Sequence, residues 1–120
     1  MSEQISAQAL VEAVAGFIGE IEGQLSGRQA FHAKVAANAL AIVARELAQQ
    51  PAVAERAALG GFLGHDAGVD GLRAEICGRL RAGQLTPETP DLLEALTAAT
   101  LARLAVDNPR YPTFQRLKAA

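Results

Sequence analysis

Aromatic residues make up only 4% of this 120-residue chain. Ala and Leu dominate instead, and half of the residues are hydrophobic. Strands favour β-branched and aromatic side chains, whereas Ala and Leu are strong helix formers, so the mix excludes a sheet-rich fold and predicts an all-α one. There is one cysteine, Cys77. It excludes an intramolecular disulfide and fits a reducing compartment. The opening stretch MSEQISAQAL has no basic region followed by an apolar run, which argues against a signal peptide. No apolar stretch approaches the ~18 residues that span a bilayer. The expectation is a soluble, cytoplasmic protein without membrane contact.

Basic excess is also missing. Eleven Lys and Arg stand against 13 Asp and Glu, a net charge of −2. A nucleic-acid partner held by phosphate contacts would need a basic face, so that partner class is not expected. Metal-site spacing is missing too. His32, His65 and Cys77 form neither HExxH nor CxxC, and no metal or cofactor is expected. Gly60-Gly61-Phe62-Leu63-Gly64 is no phosphate-binding loop, because no strand precedes it and no Lys-Ser/Thr follows.

What remains is helical periodicity. Leu10, Val11, Val14, Phe17, Ile18, Ile21 and Leu25 recur at helical spacing and predict a first helix from Ser6 to about Gln24. Its Gly16, Gly19 and Gly23 either admit a close neighbour or leave the helix marginal. Ser26 with Gln29 forms a capping box that predicts the start of a second helix, ended near Gln50 by Pro51. On a helical wheel Phe31, Val35, Leu40, Ile42, Val43 and Leu47 make an apolar arc. Ala33, Ala37, Ala41, Ala44 and Ala48 fill much of the other side. Such a helix is expected at the centre of the fold, as an enclosed axle, with its Ala face free for a closely packed neighbour or a second copy.

Further helices are predicted over Pro51–Leu63, Val69–Ala82 with Leu72, Ile76, Cys77 and Leu80 inward, and from Pro90, capped by Thr89, to Asp107. In the last, Leu92, Leu93, Leu96, Leu101, Leu104 and Val106 are expected inside. The tail from 112 to 120, anchored by Phe114 next to Tyr111, admits two readings, a docked arm or a flexible tail. The expected architecture is one domain over 1–120, an antiparallel bundle of four long helices and one short helix.

Two polar groups interrupt the apolar arcs. Arg28 and His32 are one turn apart at the start of the second helix, where free amides and the helix dipole favour an anion such as phosphate or carboxylate. In the fifth helix, Arg103 and Asp107 are four apart and read as a structural clamp, with Thr100 nearby. Should successive helices alternate in direction, Asp107, Asn108 and Arg110 would meet Arg28 and His32. The bland alternative pairs each of these groups with a neighbour inside the protein.

Three segments carry a resemblance: GRQAFHAKVAANALAIVARELA at 27–48, EICGRLRAGQL at 75–85 and LARLAVDNPRY at 101–111. They resemble a bacterial family of small proteins defined by a domain of unknown function. Its members are sometimes encoded beside, or fused to, aminoglycoside-phosphotransferase-like kinases, and near acyl-CoA dehydrogenases. The family pattern falls on Arg28, Phe31, His32, Asn38, Asp107, Asn108, Arg110 and Tyr111. The resemblance carries no activity; it implies an accessory role beside an acyl-CoA or small-molecule enzyme. The resulting expectation is a non-catalytic interaction module that forms homo-oligomers. The alternative is a binder of an anion, phosphate or acyl-CoA, or a weak enzyme, using Arg28, His32, Asn38, Asp107, Asn108 and Arg110.

Overall fold

A computed structural model describes residues 5–119. These residues form six helices and no strand: α1 (Ala7–Glu22), α2 (Gly27–Gln49), α3 (Pro51–Leu63), α4 (Val69–Arg81), α5 (Leu92–Asp107) and α6 (Pro112–Ala119). They fall into two compact units, Met1–Gln50 and Pro51–Ala120.

In the first unit α1 packs on α2. Ser6 caps α1 as its chemistry dictates, its hydroxyl accepting from the Ala9 amide at 3.1 Å. The capping box at Ser26 does not form; the Ser26 side chain makes no cap hydrogen bond. Gly27, the first residue of α2, has φ +56°. That left-handed step lets Ser26 precede the helix without its hydroxyl facing the first-turn amides. At the other end Gln50 closes α2 in the left-handed region, its amide bonded to the Glu46 carbonyl. Pro51, which tolerates a first-turn position, then opens α3 at once.

The enclosed axle is overturned. No residue of α1 or α2 is buried. The covered face of α2 is the Ala-rich one: Ala30, Ala33, Ala37, Ala41 and Ala44 are partly shielded, while Phe31 is 64% and Val35 51% exposed. Small side chains let two helices approach; Leu40 and Ile42 are half-buried with the Ala stripe, while Phe31, Val35, Val43 and Leu47 turn outward. On α1, Leu10, Val14 and Phe17 form an exposed stripe of their own. A Cβ at Gly16, Gly19 or Gly23 would meet nothing within 4 Å, so these glycines do not mark a close helix approach.

The second unit holds the protein's core. Leu59 of α3, Leu72 and Ile76 of α4, Leu85 of the 82–91 connection, and Leu92 and Ala99 of α5 form one buried cluster. Leu72 and Val106 are fully enclosed. Each such side chain stabilises the fold by about 1.5–3 kcal/mol relative to leaving it in water. The end of α4 is a Schellman turn: Gly83 takes φ +76°, the Gln84 amide bonds the Arg79 carbonyl at 2.8 Å and the Gly83 amide the Leu80 carbonyl at 3.2 Å. Gly60 allows the 64–68 loop to lie on α3, since a Cβ there would stand 3.0 Å from the His65 carbonyl oxygen.

Four expectations are corrected in this unit. Leu80, expected inward, is 38% exposed near the end of α4. Thr89 does not cap α5; its hydroxyl accepts from the Thr86 amide and closes the preceding turn, and Asp91 at φ +70° stands before Leu92 instead. Leu93 is 59% exposed, because Leu92, one 100° step away on the helix, takes the inward direction. Cys77 is exposed rather than in the core, next to the inward Ile76. The tail, for which two readings stood, forms α6 against α5, with Phe114 buried.

Candidate functional site

The residues expected to form a site divide between the two units. In the first, Arg28 and His32 are neighbours: the Arg28 Nε donates to His32 Nε2 at 3.3 Å, which requires that ring nitrogen unprotonated. The His32 ring stands edge-on to Phe31, centroids 5.8 Å apart. All three, and Asn38 further along α2, are exposed. The polar groups that punctuate the apolar arc therefore lie beside the outward-facing Phe31 and Val35, with no core around them.

In the second unit Asp107 receives two hydrogen bonds from Arg103, at 3.1 and 3.2 Å, one turn apart on α5. This is the clamp that the four-residue spacing suggested. Asn108 ends α5, its amide bonding the Leu104 carbonyl at 2.9 Å and its carbonyl accepting from the Tyr111 amide at 3.1 Å. Asn108 thereby shapes the turn into α6. Arg110 is exposed in that turn.

A better-formed concavity lies elsewhere in the second unit. Helices α3, α4 and α5 line an open cleft of about 520 Å3, a size common for small-molecule sites. Leu59, Ile76, Leu80, Leu96, Ala99 and Leu104 supply its apolar walls. Polar groups are few: the Thr100 side chain, the Cys77 thiol, Arg103 and the Glu55–Arg73 pair. Glu55 is buried, and Arg73 meets it with one guanidinium edge, Nε donating to Oε2 and Nη2 to Oε1, each at 2.5 Å. The Arg73 guanidinium is held above its ordinary pKa by that hydrogen bond and by the charge of Glu55.

Beside the 64–68 loop runs a second polar cluster. Arg56 grips Asp66 through two bonds of 2.7 and 2.9 Å, and His65 Nε2 lies 2.7 Å from Glu75, which also pairs with Arg79 at 2.7 Å. The Arg56 hydrogen bond holds the Asp66 carboxyl below the usual carboxylate range. Val53, Ala57 and Gly61 make the floor of a shallow, wide cleft there. No group of three or more His, Cys, Asp or Glu among the described residues is placed to hold a metal ion.

Sequence reasoning singled out Thr100 and Arg103 but missed Glu55, Arg73 and Cys77 as neighbours across a cleft. Glu55 and Arg73 are 18 residues apart on different helices. No periodicity links them, and only the packing of α4 on α3 brings them together.

Among known protein families, residues 23–111 match one described as a domain of unknown function, DUF6285. No curated protein and no solved structure matches the chain. The match opens just after α1 and closes just before α6, so it takes in α2 and the whole cleft.

Proposed function

The chain belongs to the DUF6285 family, and from that premise we propose that it is a non-catalytic interaction module that self-associates. One observation carries the reading. The α1–α2 pair buries no residue, yet it presents Leu10, Val14 and Phe17 on one helix and Phe31 and Val35 on the other to solvent. Two helices alone bury too little apolar surface to offset the entropy of ordering them. A second copy of the same pair supplies a matching surface, and two pairs make a four-helix bundle.

An accessory role beside a kinase-like or acyl-CoA dehydrogenase-like enzyme in the cytoplasm belongs to this proposal and rests on the family resemblance. So does a single domain over 1–120, supported by a family match that runs across Gln50, from residue 23 to 111. Among the described residues, no helix is long and apolar enough to cross a membrane.

The test is a charge on the exposed stripe. Phe31→Glu and Val35→Glu remove no buried contact, so they leave the second unit folded and abolish self-association. A variant that keeps the native oligomer size ends the proposal. A second reading, an anion site at Arg28 and His32, is supported by their exposure side by side at the start of α2. Phosphate titration followed at the His32 ring by NMR decides it, a saturable shift being required.

A further inference from the structure

We infer that the cleft between α3, α4 and α5 binds an uncharged aliphatic molecule, held by its hydrocarbon body alone. The inference concerns other residues than the self-association reading, and either can fail without the other.

The form of the cleft points to a slender ligand and not to a protein face. Its floor is recessed: Leu59, Ile76 and Ala99 line it, yet they are only 2%, 3% and 7% exposed. Its rim is open, with Cys77, Leu80 and Thr100 all exposed. A flat or convex protein surface would rest on that rim and leave the floor empty. A narrow chain reaches the floor, and about 520 Å3 is room for a small molecule. Hydrocarbon placed there gives contacts to side chains that have no partner on that side, and aliphatic hollows take apolar guests.

The charges of the lining argue against a charged ligand. Three charged residues line the cleft, Glu55, Arg73 and Arg103. Each is committed inside the protein. Arg73 bonds both oxygens of Glu55, and Arg103 bonds Asp107 through two nitrogens. A carboxylate or an ammonium would give up water on entering and meet no free countercharge. The other polar groups of the lining, the Thr100 hydroxyl and the Cys77 thiol, belong to exposed residues and can bond water, so neither requires a polar ligand.

Cys77 supplies the readout. It lines the cleft, it is exposed, and it is the chain's one cysteine. In the full-length protein, the rate of Cys77 alkylation by iodoacetamide is followed against octanol, octanoate and octyltrimethylammonium, each below its solubility or micelle limit. Octanol is expected to protect the thiol saturably and to bind about tenfold or more tightly than either ion. Across butanol, hexanol and octanol, each added methylene should tighten binding by up to about fourfold. Thr100→Trp, a bulky replacement at the exposed rim, removes the protection. Methyl NMR resonances of Leu59 and Ile76 in the unaltered protein should shift with the same dissociation constant, which checks the site without any variant. Absence of protection by octanol, an ion that binds as tightly as octanol, or an affinity that ignores chain length overturns the inference. So does protection of Cys77 that grows with protein concentration when no alcohol is present, since the occupant would then be a second copy of the chain.

Discussion

Arg73 of α4 holds Glu55 of α3 by two parallel hydrogen bonds, each 2.5 Å, and does so with its own side chain half in water while that of Glu55 is 12% exposed. The asymmetry sets what each substitution does. Arg73→Met leaves a buried carboxylate without its donors, whereas Glu55→Gln keeps an acceptor and frees Arg73 to solvent. Thermal denaturation is expected to show the larger drop in Tm for Arg73→Met. Equal drops would mean that the pair is solvated and contributes little.

Leu72 and Leu93 have the same side chain and opposite environments: one is fully buried and the other 59% exposed. Leu72→Ala opens a cavity in the cluster of Leu59, Ile76 and Leu92 and should cost about 2–5 kcal/mol in urea unfolding. Leu93→Ala should stay within about 0.5 kcal/mol of the parent.

These two residues also show what the sequence makes legible. Helical period and breaker residues set α3 at Pro51–Leu63 and α4 from Val69, as the chain folds. Which face turns inward is another matter. Phe31, Val35, Val43 and Leu47 of the apolar arc of α2 are exposed, while the Ala side, with Leu40 and Ile42 beside it, is the partly covered one. Hydrophobicity ranks faces by what burial would gain, while close packing on α1 depends on side-chain size, and the period of 3.6 is blind to that difference. Cys77 fails for a related reason. It lies one residue from the inward direction fixed by Leu72 and Ile76, enough to place it on the cleft wall. Arg28 with His32 and Arg103 with Asp107 were legible as pairs because one turn of helix suffices to join them; Glu55 with Arg73 was not.

The Arg56–Asp66 pair gives a pH signature. The hydrogen bond from Arg56 holds the Asp66 carboxyl below its ordinary value. A carboxyl whose folded pKa is depressed stabilises the fold above its unfolded pKa, and that contribution disappears as pH falls through the folded one. Carboxyl NMR titration is expected to place Asp66 below the usual aspartate range, and Arg56→Gln should restore it. The stability difference between the two proteins should shrink in acid and vanish below both pKa values.

Gln50 sits at φ +48°, a conformation that costs a residue with a side chain about 1–2 kcal/mol. Glycine relieves it at some entropic cost in the unfolded chain. Gln50→Gly should therefore stabilise by up to about 1 kcal/mol, and Gln50→Val should destabilise, both read by urea unfolding.

Self-association through the exposed faces of α1 and α2 is tested most directly by sedimentation of the unaltered protein over a wide concentration range, beside Phe31→Glu. The account predicts that the unaltered chain sediments as a dimer or larger assembly that dissociates on dilution, and that Phe31→Glu runs as a monomer throughout. A unaltered chain that stays monomeric at every concentration, with Phe17 and Phe31 still open to water, would contradict it.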